Sequence, residues 1–168
     1  MRDVVRIPEE RKAVLIGPEG RTKRSIEEQT RTKLIVGDGV QVDGADGLDV
    51  YVAGQIVKAI GRGFSPEQAL LLLDGDAQLH IITLRQHSEN KRRVMVARLV
   101  GSNGRAKKLI EQYSGCALAI QGKTVALIGS SGQLREAAGA VDAILNGRSH
   151  GFVYHRLERA AKEKNPLA

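Results

Sequence analysis

The strongest constraint on this chain is an internal repeat. Val14-Leu15-Ile16-Gly17-Pro18-Glu19-Gly20-Arg21-Thr22-Lys23-Arg24-Ser25-Ile26-Glu27 aligns without a gap on Arg98-Leu99-Val100-Gly101-Ser102-Asn103-Gly104-Arg105-Ala106-Lys107-Lys108-Leu109-Ile110-Glu111. The offset is 84 residues, half of the 168 in the chain. It keeps Gly17/Gly101, Gly20/Gly104, Arg21/Arg105, Lys23/Lys107, Ile26/Ile110 and Glu27/Glu111 in register. Self-similarity at half the length means two copies of one unit, and a chain of this size has room for two small domains.

Extended outward, the register sets Leu34-Ile35-Val36 on Leu118-Ala119-Ile120, so each copy places a short apolar strand after a basic helix. In the second copy the pattern predicts strands over Leu79–Leu84, Cys116–Gln121 and Thr124–Ile128, with helices over Arg92–Val100, Arg105–Tyr113 and about Gly132–Leu145. In the first copy it predicts a strand over Val4–Ile7 and helices over Pro8–Ile16 and Thr22–Gln29. A hairpin around Gly37-Asp38-Gly39 and a strand near Asp49–Val52 follow. The last helix starts near Gly54, breaks at Gly61-Arg62-Gly63 and resumes after Ser65-Pro66-Glu67-Gln68, where Ser65 caps and Pro66 takes the first helical position. The element order is strand, helix, helix, strand, strand, helix, twice, an α+β class. The expected division is residues 1–75, residues 76–150 and a helical tail over 151–168. The Leu73–Leu79 connection is too short for a floppy linker, so the two units are expected to pack in tandem as a monomer.

Charge adds a direction. The net charge is +7, and the stretch Lys91–Lys108 carries seven basic residues (Lys91, Arg92, Arg93, Arg98, Arg105, Lys107, Lys108) and no acid. The rest of the chain sums to zero, so the whole excess lies around the second glycine turn and favours a polyanionic partner. A single cysteine, Cys116, forms no internal disulfide and suits a reducing cytoplasm. No apolar run approaches the roughly 20 residues that span a bilayer, and Met1-Arg2-Asp3 runs straight into a strand-like segment, so neither membrane insertion nor export is expected.

Gly-x-x-Gly between two short helices lets the backbone approach a phosphodiester, because a Cβ at either glycine restricts the turn or blocks the approach. The exposed amides and dipole of the following helix favour phosphate. The candidate RNA-binding residues are Gly101, Ser102, Asn103, Gly104, Arg105, Lys107, Lys108, Arg98 and Val100, with Leu118, Ala119 and Ile120 as the apolar floor under the bases. Gly17, Gly20, Arg21, Lys23 and Arg24 are their counterparts in the first copy. Gly129-Ser130-Ser131-Gly132 has the same spacing but joins a strand to a helix with no basic flank, and reads as a plain turn.

Ile16-Gly17-x-x-Gly20-Arg21 and Val100-Gly101-x-x-Gly104-Arg105, each within that element order, resemble type I KH domains, a family that clamps about four single-stranded nucleotides. Ala59–Ala69, Gly122–Gly129 and His150–Glu158 further resemble the archaeal branch of the partner-of-Nob (Dim-two) family. That resemblance, and nothing in charge or spacing, implies a noncatalytic small-subunit ribosome assembly factor. It would bind the single-stranded 3′ end of small-subunit rRNA, with the Nob endonuclease and the alpha subunit of translation initiation factor two as partners. The competing reading is a general tandem-KH RNA binder in mRNA or exosome-linked metabolism. An RNA-modifying or nucleotide-using enzyme would need a P-loop lysine, a metal cluster or a convergent acid/base set, and none is visible.

The loops depart from the usual KH pattern, in which the variable pair often includes Lys or Arg. Here it is Pro18-Glu19 in one copy and Ser102-Asn103 in the other. Pro18 has no amide hydrogen and Glu19 repels phosphate, so the second unit is expected to carry most RNA affinity and the first to serve as an auxiliary or protein-facing surface. No cofactor or metal is expected. His150 and His155 are spaced poorly for one helix face, and Asp43, Asp46 and Asp49 miss the calcium-loop pattern and read as a polar connection between strands. Scarce aromatics disfavour stacking platforms. The Gly151–Lys164 segment, with Val153, Leu157 and Ala161 along one stripe backed by Arg156, Arg159, Lys162 and Lys164, reads as a closing helix, with a second RNA contact or a partner-docking helix as the alternative.

Overall fold

Side chains placed just ahead of the helices set where most of them begin. Asp46, Ser65, Ser88 and Ser130 each accept a hydrogen bond from a backbone N–H in the first turn of the helix they precede, and Ser65 and Ser130 form full capping boxes with Gln68 and Gln133. The computed structural model describes residues 1–164 and divides the chain into two units, Met1–Leu79 and the residues from His80 onward. The last four residues of the expected tail, 165–168, lie outside the described residues.

In the first unit β1 (Arg2–Val5) leads into α1 (Glu9–Ile16) and α2 (Arg21–Thr30), then β2 (Thr32–Val36), β3 (Val40–Gly44) and α3 (Gly47–Gly61). A short helix, α4 (Pro66–Ala69), and a 3-10 turn over Leu70–Leu73 complete it. The second unit repeats the order with β4 (Gln78–Thr83), α5 (Glu89–Val100), α6 (Arg105–Ser114), β5 (Ala117–Gln121), β6 (Thr124–Gly129) and α7 (Ser131–Leu145), and adds α8 (His150–Lys164). Each unit holds a three-stranded sheet, in order β1-β3-β2 and β4-β6-β5. Both therefore have the α+β architecture of a type I KH unit, with a C-terminal helix after the second.

The 84-residue register runs further than the motif. The helices α2 and α6 are ten residues each, α3 and α7 fifteen each, and both pairs start 84 residues apart. One expected element is overturned: Asp49–Val52 is not a strand but part of the opening turns of α3. The run Val50-Tyr51-Val52 has strand propensity. However, Asp46 accepts from the Leu48 and Asp49 amides at 2.7 and 3.4 Å, and Val50, Ala53, Val57 and Ile60 recur at helical spacing and are buried. Burial of that stripe outweighs local propensity. The strand is β3, antiparallel to both neighbours, with Leu34 opposite Val42 and Val5 opposite Val40. The Asp43–Asp49 stretch consequently joins a strand to a helix, and Asp43 lies opposite Arg2, whose Nε is 2.8 Å away. Hydrogen bonds from Arg2 and Gln41 hold the Asp43 carboxyl below the usual carboxylate range.

The core of the second unit gathers Leu84, Leu99, Ile110, Leu118, Val125, Leu127 and Val141, and α8 contributes Val153 and Leu157 to it. The tail helix thus closes a core as the apolar stripe predicts. Cys116 is buried in the same cluster, and burial pushes its thiol above the ordinary range. In the first unit Arg11 does what no sequence pattern signalled: its Nε and Nη2 donate to the carbonyls of Ile60 and Phe64 at 2.8 and 2.7 Å, satisfying the C-terminal end of α3.

Candidate nucleic-acid interface

The two glycine turns are the same object twice. Gly17 and Gly101 have φ/ψ of 72°/177° and 75°/177°, Glu19 and Asn103 55°/25° and 56°/27°, Gly20 and Gly104 75°/16° and 73°/13°. The first glycine of each pair occupies a region open essentially to glycine alone. A Cβ on Gly101 would lie 2.7 Å from Ala106 Cβ and 2.9 Å from its amide nitrogen, and one on Gly17 would lie 2.2 Å from Thr22 Oγ1. This glycine is demanded by the protein's own packing of loop on helix. The second differs, because a Cβ on Gly104 would meet nothing within 4 Å. The space over Gly104 is open surface, where a ligand backbone can approach.

Helices α2 and α6 start on these glycines with no side-chain cap, unlike α3, α4, α5 and α7. Among the described residues their first-turn amides have no side-chain acceptor, the condition under which a helix start accepts an anion. Around the second loop Ser102, Asn103, Arg105 and Lys108 are exposed. Among the described residues, neither Arg105 nor Lys108 has an ion-pair partner. Around the first loop Arg24 is exposed, but Arg21 lies 3.3 Å from the loop's own Glu19. Such an exposed pair adds little stability. Its effect is on the field, since Glu19 offsets the charge that Arg21 would present.

Two of the expected RNA contacts are engaged in another task. Lys107 Nζ sits 2.9 Å from Glu111 Oε1, while Glu111 Oε2 accepts the Leu118 N–H at 3.2 Å. Lys23, Glu27 and Leu34 repeat this at 3.2 and 2.9 Å. The Lys-x-x-x-Glu pair kept by the repeat therefore ties the helix to the strand that follows, and Lys23 and Lys107 are half-buried ion-pair members rather than free cations. Replacing Glu111 by alanine leaves a part-buried amide without its acceptor and is expected to cost about 1–3 kcal/mol in chemical denaturation. Lys108→Ala should stay within about 0.5 kcal/mol of the parent.

Arg98 is likewise turned away from the loop. Its Nη2 donates to the Arg148 carbonyl at 2.6 Å and its own carbonyl accepts from His150 Nε2 at 2.7 Å, so it anchors the α7–α8 connection to the end of α5. The apolar floor also differs from expectation. Leu118 is 1% exposed and belongs to the core, and Ala119 is buried, so of the three only Ile120 is partly accessible. Leu118 and Ile120 share the face that packs on the core, and Ala119, on the opposite face, is buried as well. Val100 is half-buried beside Gly101. The residues brought together at the open loop are thus Ser102, Asn103, Gly104, Arg105 and Lys108. The expected turn at Gly129–Gly132 is a strand end followed by the Ser130 cap. Among the described residues, no group of His, Cys, Asp or Glu is placed to hold a metal ion, and no helix is long and apolar enough to cross a membrane.

Comparison with known proteins agrees with this geometry. Residues 78–162 match the family model described as Eukaryotic type KH-domain (KH-domain type I). A KH domain-containing protein of Methanocaldococcus jannaschii is 38% identical over 94% of this chain, which covers 73% of that protein. The crystal structure of Dim2p from Pyrococcus horikoshii is similar with a TM-score of 0.88 at 40% identity, covering 95% of this chain and 99% of that one. A P. horikoshii structure described as an a/eIF2alpha-aDim2p-rRNA complex is similar with a TM-score of 0.90 at 39% identity, covering 97% and 95%.

Proposed function

The chain belongs to the Dim2p (partner-of-Nob) family of KH proteins, and from that premise we propose that it binds the single-stranded 3′ end of small-subunit rRNA during ribosome assembly, mainly through the loop Gly101–Gly104. RNA binding in ribosome biogenesis is the family's function. The choice of the 3′ end and of the second loop is our reading. One observation carries it: two loops of nearly identical backbone differ in what surrounds them. The second offers the amides and side chains of Ser102 and Asn103, an open Gly104, and Arg105 and Lys108 with no ion-pair partner among the described residues. The first presents Pro18, with no amide hydrogen, and the Glu19–Arg21 pair. RNA backbone is held where donors are free and the net field is positive.

The similar P. horikoshii complex contains a/eIF2alpha with Dim2p and rRNA. On that basis the alpha subunit of translation initiation factor two is a proposed protein partner, alongside the Nob endonuclease that the family name implies. The protein itself is proposed to be noncatalytic, working in a reducing cytoplasm where its buried Cys116 stays a thiol.

The test is fluorescence anisotropy with an RNA matching the small-subunit 3′ terminus against a scrambled oligonucleotide of equal length. Preference for the matching sequence supports the reading, and equal affinity overturns the 3′-end assignment. A loop that neutralises three or four phosphates of a single strand gives a slope of log affinity on log salt near −2 to −3, at about −0.7 per phosphate. A slope near zero would contradict the electrostatic account.

A further inference from the structure

Helix α3 is apolar on two sides. Its inner stripe of Val50, Ala53, Val57 and Ile60 is buried in the first unit. A second stripe, Leu48, Tyr51, Val52 and Gln55, recurs at spacings of three and four residues on another face, and Leu48 and Tyr51 are 68% and 61% exposed. Together with Leu72, Leu73 and Asp74 of the same unit these residues line a cleft of about 440 Å³. Large apolar side chains held in solvent on a well-formed helix mark an interaction surface.

The internal repeat supplies a comparison for this surface. At the 84-residue register Tyr51, Val52 and Gln55 correspond to Arg135, Glu136 and Gly139 of α7, and those three line the seam between α7 and α8. In the second unit α8 packs beside α7, anchored by the buried Val153 and Leu157 and carrying Arg156, Arg159, Lys162 and Lys164, while Arg135 and Gly139 themselves stay exposed. In the first unit α4 and the turn after it pack on α3, yet Leu48 and Tyr51 stay exposed. The surface is therefore more apolar than its counterpart in the second unit, where Gly132 and Arg135 stand in place of Leu48 and Tyr51.

Charge selects the occupant. From Gly63 to Leu84 the chain has three acids, Glu67, Asp74 and Asp76, and no Lys or Arg, in a protein whose net charge is +7. Asp74 lines the cleft and Asp46 caps α3 beside Leu48. Asp49 is already paired with Arg31 at 2.9 Å. An acidic margin repels phosphate and attracts a cationic surface. We propose that the cleft beside Leu48 and Tyr51 docks a basic amphipathic helix from a protein partner.

The experiment uses the full chain, labelled with 15N, and a synthetic fifteen-residue helical peptide, the length of α8, with leucine on one stripe and lysine elsewhere. A twin carrying glutamate for lysine is the control. The expected result is amide shift changes confined to residues 46–55 and 71–79, with no response to the acidic twin. Leu48→Ala with Tyr51→Ala should weaken peptide binding about tenfold or more, the scale of losing a hot spot. Asp74→Lys should weaken it independently, and both variants should keep parental RNA affinity. Because Leu48, Tyr51 and Asp74 are all exposed, these changes leave the core intact, which the amide spectrum verifies. The proposal is overturned if basic and acidic peptides bind alike, or if the shifts fall on the glycine loops. It is equally overturned if RNA titration moves these amides, or if the chain self-associates through this face so that Leu48→Ala with Tyr51→Ala abolishes a dimer.

Discussion

Placing aspartate at both Ser102 and Asn103 is expected to lower affinity for a short single-stranded RNA by roughly ten- to a hundredfold, while aspartate at Pro18 and Glu19 changes it by less than about threefold. Two charges are added where phosphates would lie. At a few ångströms and near-surface screening each opposes binding by about 1 kcal/mol, and about 1.4 kcal/mol is a factor of ten. The backbone at both sites tolerates the change, since Asn103 and Glu19 already hold nearly the same left-handed conformation and aspartate enters that region more readily than most residues. Ser102→Asp against Pro18→Asp is the comparison matched in added charge, read by anisotropy at one salt concentration. Equal losses in the two loops would refute the assignment of RNA affinity to the second unit and return the first loop to the RNA path. A loss confined to the second loop would fit a division in which the first unit faces protein, where its Glu19–Arg21 pair does no harm.

The second large effect separates glycines that look equivalent in the motif. Gly101→Ala is expected to destabilise the second unit by about 2–6 kcal/mol. It combines the strain of a left-side φ with overlap on Ala106 at 2.7 Å, each of about 1–3 kcal/mol. Gly104→Ala has only its conformational cost of roughly 1–2 kcal/mol, because its Cβ would enter open space. In urea the first variant should lose most of the second unit's transition, and the second should shift it modestly. In RNA binding the order reverses in meaning: Gly104→Ala places its Cβ in the open space that a phosphodiester would approach. If Gly101→Ala proved no more destabilising than Gly104→Ala, the close contact with Ala106 would not be the reason for glycine there.

Much of this was legible from residues alone. The repeat identified two units and their shared element order, and its register extends through α3 and α7. Applied to the strands, the same register would have placed β3 at Val40, 84 residues before Thr124. The run Val50-Tyr51-Val52 obscured it, because β-branched and aromatic residues read alike in a strand and on a buried helix face. Of the candidate site residues, the fold gathers Gly101–Arg105 at an open loop and engages Lys23, Lys107 and Leu118 in contacts of its own. Lys23 and Lys107 looked like ligand charges because spacing cannot say whether a lysine reaches outward or back to a glutamate one turn on. Leu118 looked like a groove floor because the face of a strand is set by its partner strands.

What the sequence determined by itself is therefore the local and periodic part. It contains the duplicated glycine turn, the concentration of seven cations around the second copy, the helix caps and the amphipathic tail, each fixed by residue type over a few positions. The tertiary structure decided the rest: which glycine serves packing and which stays open, which cations are free, and that α3 keeps Leu48 and Tyr51 in solvent. The physical reason is range. Capping, turn geometry and side-chain periodicity act within one or two helical turns, whereas burial and ion pairing depend on which distant segment the fold brings into contact.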